Sequence, residues 1–430
     1  MTRNLLFNSM HSFILRIVGL LFFYLFTSSI SYSQNDIINY GRMVVDTLTS
    51  PYMHGRGYVN KGDSIAASFI KNEFEKFGLM PIEQNFYQAF NFPVNTFPNK
   101  LEINIDGKRL EPGKDFILYS SPSSRGNYPI EVANDLLILN KKYFKKFTKQ
   151  NFSQKVLLIN DTGGVSKQLQ DLPKNIKPKA LILLKDKLTQ SVETYIPEYP
   201  TIEILRTAIE NPKKINFSIE NKFIANYQSQ NIIGYIKGNQ YPDSFIVFSA
   251  HYDHLGQLGK KNYFPGANDN ASGCAMLLSL AKYYAKHQPK YSVTFIAFGG
   301  EELGLLGSKY YVEHPLFSLT KIKFLVNMDI MGTGDEGIKV VSATENKNEF
   351  DQLVKINSEK KLLTSVQPRG KASISDHYFF EEAGVKTFFI YTLGGIKAYH
   401  DIYDRPETLP LTKFAEVYNL LLNFTDYLQQ

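Results

Sequence analysis

Five short segments of the 430-residue chain place acids or imidazoles at the ends of apolar runs. The first is His251-Tyr252-Asp253-His254, which follows Phe245-Ile246-Val247-Phe248. The second is a turn carrying Asp269 just before the apolar stretch from Ala271. The third runs from Val293–Phe298 through Gly299-Gly300 into Glu301-Glu302. The fourth embeds Asp329 in Phe324-Leu325-Val326-Asn327-Met328-Asp329-Ile330-Met331, and the fifth is Ala398-Tyr399-His400-Asp401. Each has an ordinary reading when taken alone: a polar turn, a helix cap, solvated glutamates, a surface histidine. Asp329 is the exception, because a carboxylate inside an apolar run needs a cation or several donors to offset its desolvation.

Together the types fit a pair of divalent metals about 3.5–4 Å apart. Two histidines and three carboxylates give each metal one imidazole, one terminal carboxylate and a share of a bridging one. Without cations the same acids would repel one another strongly. Nitrogen and oxygen donors without thiolate suit zinc, with manganese or cobalt as alternatives.

Such a set needs a scaffold that delivers every group to one place. Helical spacing marks Asp36–Leu48 and Asp63–Phe77. From about residue 90 to 225 short β-like runs such as Leu101–Ile105, Val156–Ile159 and Ala180–Leu184 alternate with Pro/Gly/Asn turns, which predicts an inserted strand-rich domain. From Asn231 onward strands and helices alternate, predicting an α/β fold. Its form is a three-layer α/β/α sandwich around a mixed, mostly parallel central sheet, with ligands collecting beyond the strands' carboxyl ends. The domain expectation is therefore 34–89 with 226–430, interrupted by 90–225.

Residues 1–33 carry Arg3 and Arg16, an apolar Ile17–Phe26 and small residues before Gln34, the pattern of a secretory signal peptide cleaved after Ser33. The apolar core is too short for a membrane span of about 20 residues, so no stable membrane anchor is expected after cleavage. Cleavage would leave 46 basic against 41 acidic side chains, a net charge of +5. That surplus is too diffuse to argue for nucleic acid, and Lys141–Phe147 reads as an amphipathic surface segment. Cys274 is the only cysteine, so no internal disulfide forms, and its apolar surroundings read as core.

In type and order the five segments resemble the co-catalytic zinc aminopeptidase family, whose relatives include glutamate carboxypeptidase II and the transferrin receptor. The resemblance covers about 45–90 and 226–430, including His54-Gly55-Arg56, Phe77-Gly78-Leu79 and Gln230-Asn231-Ile232-Ile233-Gly234. It implies a phosphorylase/hydrolase-like fold and two zinc ions per chain: His251 and Asp329 on one, Glu302 and His400 on the other, Asp269 bridging. It further implies Glu301 as general base, Asp253 as the acid orienting His251, and Tyr399 as donor to the oxyanion. The implied function is an exported, periplasmic or extracellular aminopeptidase acting on peptides by metal-activated water. Alternatives in the same fold are a carboxypeptidase, a glutaminyl cyclase or a catalytically inactive receptor-like module. His254 receives no ligand role, and His377 is a candidate for the pocket wall. The stretch at 90–225 occupies the place of a protease-associated domain in some members.

Overall fold

The computed structural model describes residues 34–133, 145, 147, 149–160 and 176–430. The expected signal peptide lies outside them, as does most of the basic segment at 141–147. Among the described residues no helix is long and apolar enough to cross a membrane.

The first sheet has eight strands: β1 (Tyr87–Thr96), β2 (Lys222–Ile236), β3 (Tyr241–His251), β4 (Tyr291–Phe298), β5 (Ile322–Met328), β6 (Gly337–Val341), β7 (Val366–Pro368) and β8 (Thr387–Leu393). Their spatial order is β1-β2-β4-β3-β5-β8-β6-β7. The four central strands, β4, β3, β5 and β8, run parallel to one another, while β1, β2 and β6 join through antiparallel pairings. The sheet is thus mixed, as the sequence predicts.

Side chains alternate across a strand, so a strand buried on both faces reads as one continuous apolar run. In β3, Ile246, Phe248 and Ala250 enter one core and Phe245 and Val247 the opposite one. The first core is closed by α1 (residues 34–48), α2 (Gly62–Phe77), α3 (Gly273–Tyr284), α5 (Lys347–Lys360) and α7 (Phe414–Leu428). The second is closed by α4 (Leu306–Glu313) and α6 (His377–Glu382). These are the three layers of the sandwich.

Helix α4 begins only at Leu306, because Gly304 and Leu305 are left-handed (φ 94° and 62°) and separate it from a single turn at Glu301–Leu303. Strands β6 and β7 are short, five and three residues, and form one margin of the sheet.

The chain leaves this sheet after β1 and re-enters at β2, and the two pair antiparallel from Tyr87↔Ile232 to Thr96↔Lys222. Between them a second eight-stranded sheet forms in the order Lys108–Leu110, Leu101–Ile105, Lys214–Ile219, Ser124–Ala133, Val156–Asn160, Ala180–Lys185, Thr201–Leu205, Phe116–Leu118. Its core of Ile103, Phe116, Ile204 and Phe217 also takes in Leu255, Leu258 and Phe264 from the loop after β3. The two sheets therefore share apolar contacts.

Asp63, fully buried in the first turn of α2, accepts hydrogen bonds from the Tyr227 hydroxyl and from Ser229 Oγ (2.9 Å), tying α2 to β2. Burial outweighs these bonds and raises its pKa to about 6. A carboxyl whose folded pKa lies above its unfolded value contributes stability at low pH that is lost as pH rises through the folded value. The neutral variant Asp63→Asn lacks this loss. Its stability relative to the native chain, from urea unfolding, should improve by roughly 2–3 kcal/mol between pH 4 and pH 8. A difference independent of pH would contradict the assignment.

Candidate metal centre

The four parallel strands β4, β3, β5 and β8 end on one side of the sheet, and each supplies part of one cluster. His251 is the last residue of β3 and pairs with Phe298, the last of β4. Beyond Phe298, Gly300 takes φ 72° and turns the chain into Glu301 and Glu302. Asp329 follows β5, its amide donating to the Ile390 carbonyl of β8 at 3.1 Å. His400 lies on the loop beyond β8. Asp269 arrives from an irregular turn, Ala267–Ser272, in which it and Asn270 are non-helical, and α3 starts only at Gly273. The bland expectation of a helix-capping role for Asp269 is therefore not met. Gly266 is required here: at φ 59°, a Cβ would sit 2.2 Å from the Asp269 carbonyl oxygen and 2.7 Å from Arg56 Nη2.

All five expected ligands converge. Asp269 turns one carboxylate oxygen to each imidazole, Oδ1 to His251 Nε2 at 3.3 Å and Oδ2 to His400 Nε2 at 2.9 Å. Each imidazole has a second acid: Asp329 Oδ2 lies 3.4 Å from His251 Nε2, and Glu302 Oε2 lies 3.2 Å from His400 Nε2. Donors held at about 2.0–2.1 Å by tetrahedral zinc lie about 3.3–3.4 Å from one another; the separations at His251 match this, and those at His400 are shorter. Asp329 Oδ1 is buried without a hydrogen-bond partner, a further atom that a cation would satisfy. Glu301 lies beside them: the ligand atoms of His251, Glu301 and Asp329 fall within 4.8 Å of one another.

The electrostatics reflect the crowding of acids. Burial raises the pKa of Glu301, and Glu302, Asp376 and Asp329 reinforce the rise against an opposing His251. Burial also raises Asp329. Burial alone would lower His251, but Glu301, Asp329 and Asp269 hold it well above the imidazole range. His400 is likewise carried to about 9, where burial is overcome by Glu302 and Asp269. Asp269 itself is held well below the carboxylate range, because its bonds to the two imidazoles outweigh its burial.

The surrounding contacts differ in part from the expected roles. The Asp253 carboxylate lies 3.9 Å from His251 Nδ1, and the nearer partner of that nitrogen is the Asp253 backbone carbonyl at 3.2 Å. A proton on Nδ1 donated to this carbonyl leaves Nε2 free to ligate, so Asp253 still orients the ring, through its main chain. Its carboxylate does other work, accepting from the amides of Glu301 (3.1 Å) and Glu302 (3.3 Å) and from the Tyr58 hydroxyl (2.7 Å). Tyr399 is half exposed and stacks on His400, with ring centroids 4.0 Å apart. Its phenol is pushed upward first by burial and then by Asp269 and Glu302, so it stays a proton donor. His377 does not line the pocket: it is fully buried against Phe389, and burial lowers its pKa to about 4.

Three contributors were not anticipated. His254 Nδ1 contacts Glu302 Oε1 at 2.6 Å, leaving the other oxygen of Glu302 for His400. The adjacency of His254 to Asp253 was its only sequence signal. Asp404 accepts from the amides of Asn268 (2.9 Å) and Asp269 (3.0 Å) and fixes the bridging loop. Arg56, fully buried, donates to the carbonyls of Leu48, Tyr252, Pro265, Gly266 and Asp269 at 2.7–3.2 Å, joining the His251 and Asp269 segments.

Removing Arg56 would leave several buried carbonyls without their donor, at about 1–3 kcal/mol each. Arg56→Met should therefore lower stability by at least roughly 3 kcal/mol, read from the urea midpoint, and Arg56→Lys should not restore it because lysine lacks the planar fork. A loss below about 0.5 kcal/mol, the range of a neutral surface change, would show that the guanidinium does not hold these segments.

Comparison with known proteins finds a family similar to this part of the chain. The model of peptidase family M28 matches residues 231–425, which contain all five converging residues and Glu301. Aminopeptidase YwaD of Bacillus subtilis is 27% identical over 310 residues, covering 69% of this chain and 64% of the relative. A probable zinc metalloprotease of Pyrenophora teres f. teres is 39% identical over 113 residues, covering 25% of this chain and 23% of that protein. The chain thus spans just under two thirds of the first relative and about a quarter of the second. In fold, the chain is similar to BSAP, a zinc aminopeptidase from Bacillus subtilis (TM-score 0.70, 22% identity, covering 90% of this chain and 94% of that one). It is also similar to a peptidase M28 precursor from Shewanella amazonensis (TM-score 0.67, 16% identity, covering 93% and 97%). The stretch that matches the peptidase family M28 model thus holds the whole converging set.

Proposed function

We propose that this chain is an exported zinc-dependent exopeptidase, an aminopeptidase that hydrolyses the N-terminal peptide bond of peptides. The observation that carries the proposal is the two-sided placement of Asp269, with one oxygen toward His251 and the other toward His400. A carboxylate so placed suits two metals sharing one bridge, with His251 and Asp329 on one zinc and Glu302 and His400 on the other. When bound, the metal pair supplies Lewis acidity that acidifies a water and polarises the scissile carbonyl. The names of the similar proteins, an aminopeptidase and zinc metalloproteases, support the same reading.

The chain's own residues supply the rest. Glu301 is the general base: burial and its acidic neighbours make its carboxylate a better proton acceptor than an exposed one, and it later returns the proton to the leaving amine. Asp253 holds the amides of Glu301 and Glu302 on one carboxylate, which fixes the division of labour between the two adjacent acids. The Tyr399 hydroxyl, kept protonated, donates to the oxygen that gains charge as the carbonyl is attacked. In the same reading residues 1–33 direct export to the periplasm or medium, and the strand-rich stretch at 90–225 is a protease-associated-like unit within the peptidase domain.

The test is Glu301→Gln together with a substrate panel. The variant should keep the zinc content of the native chain while kcat on aminoacyl anilides falls by about 10²–10⁴. N-acetylated substrates should be refused by the native enzyme. Native rates in Glu301→Gln would remove the base assignment, and ready cleavage of blocked substrates would remove the aminopeptidase.

A further inference from the structure

The ligand His400 depends on a residue 210 positions away in the second sheet's unit. Its backbone has φ 53°, a left-handed conformation that an L side chain adopts only when its surroundings enforce it. The Gln190 main chain supplies that enforcement from two directions. Its N–H donates to the His400 carbonyl at 2.8 Å, and its carbonyl oxygen lies 3.0 Å from His400 Nδ1. A proton on Nδ1 directed to this carbonyl leaves Nε2 facing Asp269 and Glu302 with its lone pair.

Gln190 is itself held firmly. It is buried, and its Nε2 donates to the carbonyls of Leu118 and Ser191 at 2.7 and 2.5 Å, so its backbone is anchored to the end of a strand in the second sheet. Nearby, Lys187 Nζ donates to the Lys397 carbonyl at 3.1 Å and lies 3.6 Å from Asp401 Oδ2, binding the same two segments again. Ile402, two residues past the ligand, packs against the second sheet's core.

We infer that the inserted unit is a positioning element of one metal site, with Gln190 the residue through which it sets His400. The site formed by His251 and Asp329 is delivered by the first sheet, His251 as the last residue of β3 and Asp329 directly after β5. The insert would thus control occupancy of one metal of the pair. This rests on the two-metal reading above, and the experiment separates the two.

Zinc is titrated into the metal-free full-length chain in competition with a chromophoric chelator, for the native protein, Gln190→Ala and Gln190→Pro. The first variant removes the anchor of the loop, the second the N–H bonded to His400. The surface variant Lys177→Ala, which breaks only an exposed pair with Glu198 in the same unit, is the control and should titrate as native. Native protein should bind two zinc ions. Both Gln190 variants should bind one with native affinity and the other 10–100-fold more weakly, with the melting temperature of the metal-free chain unchanged. Fewer than two zinc ions on the native chain would overturn the two-metal reading. Two zinc ions at native affinity in both variants would overturn the role of the insert while leaving that reading intact. Equal weakening of both sites with a lowered melting temperature would also overturn it, since that is general destabilisation.

Discussion

Crowding of acids in a place shielded from water is the constraint on which this structure turns. Asp253, Asp269, Glu301, Glu302, Asp329 and Asp376 gather around His251, His254 and His400, so acids outnumber imidazoles six to three. Hydrogen bonds satisfy some of these acids: Asp253 has two amides and a phenol, and Asp404 nearby has the amides of the bridging loop. The oxygens of Asp269, Glu302 and Asp329 that face the two imidazoles are served only by rings, and cations between them would remove the repulsion.

The scaffold follows from that constraint. Adjacent parallel strands end side by side, so residues far apart in sequence arrive within a few ångströms without any long loop having to be ordered on its own. Asp269, which no strand delivers, needs the most support. Its turn is fixed from below by Arg56 through backbone carbonyls and from the side by Asp404 through backbone amides. An arginine bonded to five carbonyls stiffens the turn and adds a positive charge near the acids without occupying a carboxylate oxygen that a metal would need. His400, seven residues past β8, is hydrogen-bonded to the main chain of Gln190 in the inserted unit.

The apolar strands and the acids at their ends were legible in the sequence because both signals are local: a buried parallel strand is a continuous apolar run, and its ligand is the next residue. His251 and Asp329 could thus be named from their strands, and Asp269 and His400 from the turn before α3 and the loop beyond β8. What escaped was set by long-range main-chain contacts. The carbonyl of Asp253, rather than its carboxylate, meets His251, and backbone hydrogen bonding of this kind leaves no trace in residue identity. His254 lies one residue beyond Asp253 and was set aside, yet its direction toward Glu302 depends on where the β4 loop lies in space. Gln190 contributes through its peptide group, in a segment with no chemical motif at all.

Anomalous diffraction at the zinc edge from crystals of the zinc-loaded chain would locate the metal ions among these residues. Two peaks about 3.5–4 Å apart are expected. One should contact His251 Nε2 and Asp329, the other His400 Nε2 and Glu302, with Asp269 touching both and Glu301 bound to neither. A single peak, or Glu301 in the place assigned to Glu302, would contradict this arrangement.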